Sequence, residues 1–288
     1  MNQTSPATRD IVFRVRRFDP GQDPEPYFQD FTVPVPAGMV VLEGLWWIKE
    51  HLDATLAWRA SCRMGVCGSC AMLVNGRPTL ACNTQVLDVA DRVLLLAPLP
   101  NFDIIRDLVP DLAPMLETHR RMMPWIARAD AEEMTEPSDQ YWQSPHQLEN
   151  YLQFSYCIKC GACMAACPVV ATDPTYPGPQ PLAQGYRYLI DSRDGAFKER
   201  KAILSGESGP WSCHYAGECS SVCPKGVDPG RALQLMKREL VFDYLRLGKR
   251  RYAEPACLLP KEKRKGRRPD IPGPPPFTVE GAVSNDAV

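Results

Sequence analysis

No stretch of this sequence approaches the roughly 18 consecutive apolar residues that a membrane-spanning helix needs. The first residues, MNQTSPATRD, lack the apolar segment of a secretory signal. The Arg16-Arg17 pair is followed by FDPGQDPEP rather than by a hydrophobic region, so a twin-arginine export signal is not expected either. Net charge is small, at −1, and gives no broad basic surface for nucleic acid. Histidine is scarce: the 4 present, His51, His119, His146 and His214, are scattered, and an isolated histidine is more simply structural or exposed. There is no glycine-rich nucleotide cradle and no evident acid–base pair. The chain is not expected to hold a chemical active site of its own.

What the sequence has in excess is cysteine, 12 in 288 residues. A chain of this length, 44% hydrophobic, can build two cored domains, so a small disulfide-held secreted scaffold is excluded. The cysteines are clustered, and in a reducing compartment clustered cysteines point to metal. One group runs from Cys62 to Cys82 and another from Cys157 to Cys223. The acidic, polar stretch from Ala129 to Pro145 places a domain boundary between them. This gives a first domain over residues 10–125, a second over 145–250 and a tail over 251–288. The tail is first basic (KEKRKGRR, Lys261 to Arg268), then proline-rich, and cannot bury much surface.

In the first group, Cys62, Cys67, Cys70 and Cys82 follow the plant-type 2Fe-2S spacing of three close ligands and one remote. A zinc ribbon would instead use two separated pairs of close cysteines. Gly65 and Gly68 lie between the ligands and allow backbone N–H groups to approach the sulfurs. In the second group, Cys157, Cys160, Cys163 and Cys167-Pro168 form the bacterial ferredoxin run, in which the fourth cysteine serves the other cluster. Cys213, Cys219 and Cys223-Pro224 repeat it with Ala216 where a cysteine would stand. The ligand count then closes crosswise. A 4Fe-4S cluster takes Cys157, Cys160, Cys163 and Cys223, and a 3Fe-4S cluster takes Cys167, Cys213 and Cys219. A 4Fe-4S cluster with an open iron, as in dehydratases, is the alternative at the last site. Cys257 stands alone and reads as a free thiol.

The element pattern is α+β. Ile11, Phe13 and Val15 alternate with polar residues as in a strand, Phe28 to Val35 reads as a second strand, and Met39 to His51 as a helix. Asn75-Gly76 marks a hairpin between Ala71–Val74 and Thr79–Cys82, and Val93 to Ala97 suits a buried strand. This is the order of a plant-type ferredoxin, a β-grasp sheet around one helix. The second domain reads as helical, with helices over Gln147–Phe154, Leu182–Asp191 and Arg231–Leu247.

The segments SCRMGVCGSCAMLVNG, CIKCGACMAACP, YRYLIDSRDGAFKERKA and WSCHYAGECSSVCPKGVDP, spread over about residues 10 to 247, resemble the iron–sulfur subunit of succinate dehydrogenase and fumarate reductase. The resemblance implies electron transfer between an FAD-containing flavoprotein subunit and membrane quinone. It also implies a membrane-anchor subunit, with haem b in some members, and a place on the cytoplasmic face of the bacterial inner membrane. Pro168, His214 and Lys225 would line the quinone side of the 3Fe-4S cluster. Ubiquinone-linked members often carry tryptophans soon after the residue matching Cys167, whereas this chain reads CPVVATDPTYPGP, so menaquinone is the expected quinone. A soluble multi-cluster carrier and a subunit of a heterodisulfide-type or glycolate-type oxidase remain the competing readings.

Overall fold

The structure, a computed structural model, describes residues 8–128, Thr135, 143–206 and 209–247. Most of the expected boundary segment, and the whole of the 251–288 tail with Cys257 and the basic run, fall outside the described residues.

The first half is a five-stranded sheet built from β1 (Arg9–Arg17), β2 (Tyr27–Val35), β3 (Ala71–Val74), β4 (Arg77–Leu80) and β5 (Val93–Ala97), in the order β2-β1-β5-β3-β4. Only β1 and β5 run parallel. The alternation read from β1 is real: Ile11, Phe13 and Val15 point into the core. Helix α1 (Val41–His51) covers that face with Val41, Leu42, Leu45 and Ile48. It lies so close that a Cβ on Gly44 would sit 2.4 Å from the Phe13 ring, which is why glycine stands in the middle of a helix. The Glu43 carboxylate accepts from the Val40 N–H at 2.9 Å and fixes the helix start.

The hairpin turns at Asn75 and Gly76, both at positive φ, as a two-residue primed turn demands. Its second strand, however, is Arg77–Leu80, not Thr79–Cys82, because a two-residue turn must pair Val74 with Arg77. Cys82 is thereby moved off the strand onto a short 3-10 turn, Ala81–Asn83. A short helix, α2 (Val86–Val89), precedes β5; after β5 come the small hairpin of β6 (Ile104–Arg106) and β7 (Val109–Pro110) and then α3 (Ala113–Arg121).

The second half is helical: α4 (Pro145–Ser155), α5 (Ala162–Ala165), α6 (Pro168–Thr172), α7 (Pro179–Leu189), α8 (Phe197–Leu204), α9 (Glu218–Ser221) and α10 (Pro229–Tyr244). Almost all of α7 is buried, and α3, α4, α8 and α10 pack around it. The long helices start earlier than their apolar periodicity suggested, because prolines 145, 179 and 229 occupy their first turns, where a missing N–H costs nothing.

One buried ion network ties the ends of the first half together. Arg17 Nε donates to Asp107 Oδ1 at 2.9 Å, and its Nη1 reaches Asp53 Oδ2 at 2.6 Å. Asp107 also accepts from the backbone N–H groups of Phe18 (3.0 Å) and Ala57 (2.9 Å). Burial opposes ionisation of Asp53, but the Thr55 hydroxyl and Arg17 outweigh it and hold the carboxyl down at about 2. Its folded pKa lies below the unfolded value, so this stability is present above about pH 4 and is lost as pH falls towards 2. Arg17→Leu strands the buried Asp107 carboxylate, and a loss of about 3–5 kcal/mol is expected in denaturant unfolding. A loss below about 1 kcal/mol would show the network to be incidental.

Candidate metal centres

The loop from Cys62 to Cys70 is wound so that backbone N–H groups turn inward onto sulfur. Arg63, Gly65 and Gly68 all take positive φ. Cys62 Sγ accepts from the N–H groups of Met64 (3.4 Å), Val66 (3.2 Å) and Cys67 (3.2 Å). Gly65 N–H reaches Cys82 Sγ at 3.2 Å, which brings the remote cysteine to the loop. Cys67 is exposed, and the Cys62 N–H with the Ser69 hydroxyl lowers its thiol pKa to about 6. Cys70 lies deeper; burial, with Cys82 beside it, pushes it up to about 12. A donor set that favours thiolate at its rim and crowds thiols in its interior suits a cationic metal group.

In the second half the cysteines surround two cavities. Cys157, Cys160, Cys163 and Cys223 all line the first, together with Gln180 and Lys225. Cys167, Cys213 and Cys219 line the second, with Pro168, Tyr176, His214 and Ala216. This crosswise grouping is the one that the ligand count required. The two cavities adjoin, since Cys219 packs against the buried Cys163 and Met164. Burial and the neighbouring cysteine sulfurs push Cys163 well above its ordinary pKa, and burial raises Cys157, Cys160 and Cys219 as well. Ionised together, these sulfurs would repel at low dielectric, and bound iron is what would offset the repulsion. Among the described residues no three His, Cys, Asp or Glu side chains converge as on a single ion. The sulfurs stand around spaces instead, as a group of several irons would need.

The two runs are copies in backbone as well as in sequence. Lys159 and Gly161 take φ of 55° and 83°, and Tyr215 and Gly217 take 58° and 80°. Each pair leads into a four-residue helix, α5 and α9. Ala216 therefore occupies in the second run the place of Cys160 in the first, and it lines the three-cysteine cavity.

Known families and proteins match the chain over most of its length. A family described as "2Fe-2S iron-sulfur cluster binding domain" matches residues 12–117, and one described as "4Fe-4S dicluster domain" matches residues 153–227. The fumarate reductase iron–sulfur subunit of Mycobacterium tuberculosis is 44% identical over 227 residues, covering 79% of this chain and 91% of that protein. The subunit of the same name from Haemophilus influenzae is 41% identical, covering 80% of this chain and 93% of the other. The chain belongs to the family of iron–sulfur subunits of fumarate reductase and succinate dehydrogenase.

The solved Mycobacterium smegmatis Sdh1 complex in the apo form contains a chain that superposes with a TM-score of 0.71 at 29% identity, over 83% of this chain and 98% of that one. Within a subunit of this family, the two halves must sit close enough to pass electrons, and Gly68 is where they meet. A Cβ there would lie 2.9 Å from Cys160 Cβ and 3.0 Å from the Ile158 carbonyl oxygen. The glycine is needed for contact between the two cysteine loops more than for the approach of its own N–H to sulfur. Asn101 adds a second tie, its amide donating to the carbonyl oxygens of Met164 (3.0 Å) and Ala165 (3.2 Å).

The expected quinone-side residues do not all fall together. Pro168 and His214 line the three-cysteine cavity, but Lys225 lines the four-cysteine one. Two residues after Cys223, it follows that ligand to its own cavity. The lysine next to the three-cysteine site is Lys237 on α10, whose Nζ donates to the Cys213 carbonyl at 2.8 Å. The available signal was its position four residues after Leu233, on the edge of the helix's buried stripe.

Gly68→Ala should lower the thermal stability of the subunit by about 1–3 kcal/mol, from positive φ and from the collision with Cys160. Gly76→Ala, at similar φ but with open space around its Cβ, isolates the φ cost in the same calorimetric experiment. Equal losses would mean that contact between the loops contributes nothing.

Proposed function

We propose that the chain carries single electrons between an FAD-containing flavoprotein subunit and menaquinone held at a membrane-anchor subunit, some members of the family having haem b in the anchor. Cys62, Cys67, Cys70 and Cys82 hold a 2Fe-2S cluster. Cys157, Cys160, Cys163 and Cys223 hold a 4Fe-4S cluster, and Cys167, Cys213 and Cys219 a 3Fe-4S cluster. When bound, the clusters supply one-electron uptake and release. The protein's own work is to hold thiolates in place, satisfy their charge with N–H donors and keep the two halves in contact at Gly68.

The observation that carries the reading is Ala216. It stands where the first run has Cys160, on the wall of a cavity with three cysteines. A methyl group offers no fourth ligand, which favours 3Fe-4S over a 4Fe-4S cluster with an open iron. A quinone site on the same side is supported by His214 and Pro168, which line the wall, and by Lys237, anchored to the Cys213 carbonyl. A protonated lysine or an imidazole N–H there would stabilise charge developing on a quinone oxygen. Menaquinone is supported by the absence of tryptophan in the segment after Cys167 and by close relatives that are fumarate reductase subunits. The subunit is read as peripheral, held by its anchor on the cytoplasmic face; no helix among the described residues is long and apolar enough to cross a membrane.

The oxidised complex should show the paramagnetic signal of a 3Fe-4S cluster, and Ala216→Cys should abolish it by completing a 4Fe-4S site. A signal that is absent in the parent, or that survives in the variant, contradicts the assignment. Lys237→Leu should slow quinone turnover roughly ten-fold, since a charged hydrogen bond contributes about 1.5–3 kcal/mol. Succinate oxidation by a dye that takes electrons before the last cluster should hold its rate. Lys225→Leu should spare quinone turnover; equal effects of the two substitutions, or equal slowing of both assays by Lys237→Leu, would remove Lys237 from the quinone site.

A further inference from the structure

Cys157 faces a polar group that cysteine spacing does not account for. Gln180, on the first turn of α7, is only 2% exposed and lines the four-cysteine cavity. Its Nε2 lies 3.9 Å from Cys157 Sγ and 3.2 Å from Nδ1 of His119, at the end of α3. His119 is itself buried, at 8% exposure. Burial, and then the charge of Lys159, lowers its pKa to about 4, so the ring is neutral at ordinary pH. A neutral ring that accepts at Nδ1 must be met by the amide NH2 and not by the amide oxygen. In the tautomer with Nδ1 unprotonated, the one that suits the Gln180 Nε2 contact, the amide NH2 faces the ring and its second N–H is available to the sulfur. Gln180 Oε1 is buried with no hydrogen-bond partner. Leaving such an atom unsatisfied is costly.

We propose that Gln180, oriented by His119, donates a hydrogen bond to the Cys157 thiolate and raises the reduction potential of the cluster held by Cys157, Cys160, Cys163 and Cys223. The inference rests on the ligand set proposed above. Uptake of an electron increases negative charge on the cluster and its thiolates. A fixed N–H donor stabilises that state more than the oxidised one, and hydrogen bonds to sulfur are among the determinants of cluster potential. Gln180 is the donor, and His119 is a positioning residue that acts through it.

The test is a redox titration of the intact multi-subunit complex, followed by electron paramagnetic resonance of the reduced 4Fe-4S cluster. Gln180→Met keeps the bulk of the side chain and removes the donor. Its midpoint potential should fall, by an amount of the order of a ten-fold change in the reduced-to-oxidised ratio, which is about 59 mV for one electron. The other two clusters should keep their potentials. His119→Leu, which leaves the cavity wall intact, should shift the potential in the same direction by less, and should add nothing in the Gln180→Met background. Should Gln180→Met not assemble its cluster, His119→Leu alone reads the same quantity. An unchanged potential in an assembled Gln180→Met complex, or with His119→Leu where that alone can be read, overturns the proposal. So does a His119→Leu shift that persists without Gln180. Retention of the 4Fe-4S signal in Cys157→Ala would instead show the ligand set to be wrong, a separate failure.

Discussion

Placing many thiolates close together inside a protein is the constraint on which this structure depends. Cys163 is buried, and the sulfurs of Cys157, Cys160, Cys219 and Cys223 all bear on it. Water cannot screen such a group, so charge must be met by bound iron and by N–H donors aimed at sulfur. The features around the sites follow from that need. The first loop takes positive φ three times to turn its amides inward. The second half repeats a left-handed step before α5 and again before α9, so that each short helix presents its cysteine to a cavity. A pocket with one ligand fewer, at Ala216, is a local change within an unaltered frame.

The same frame sets the path between the halves. The β-grasp sheet holds its cysteine loop at one edge, and the helical half presents Cys160 to it across Gly68. Asn101 and Arg77 bridge the same boundary through backbone carbonyl oxygens, Arg77 reaching that of Ser221 at 3.0 Å. In both ties the acceptor is a backbone carbonyl, so the contact follows the fold of the helical half. The three-cysteine cavity is lined by His214 and the half-exposed Tyr215.

Much of this was legible in the sequence, for identifiable reasons. Alternation in β1 and the Asn75-Gly76 pair report backbone constraints that only a few residue types satisfy, and cysteine spacing reports metal chemistry that no other residue can supply. The grouping of Cys223 with the first run was readable because the pattern repeats within the chain. What was not legible depends on tertiary contact. The start of β4 was misjudged because the turn, not the apolar pattern, fixes the register. The resemblance put Lys225 on the quinone side, but it lines the cavity of Cys157, Cys160, Cys163 and Cys223. Lys237 was missed because its partner is a backbone carbonyl 24 residues away in sequence. Gln180 and His119 carry no motif at all; only the folding of α3 against α7 brings them together.

The central claim is that the two ferredoxin runs exchange their last cysteines. It is tested most directly by paramagnetic resonance of the complex bearing Cys223→Ala, beside the complex bearing Cys167→Ala. Cys223→Ala should destroy the reduced 4Fe-4S signal as the primary lesion, and Cys167→Ala the oxidised 3Fe-4S signal. The reverse pairing, with Cys223→Ala removing the 3Fe-4S signal and sparing the 4Fe-4S one, would contradict it.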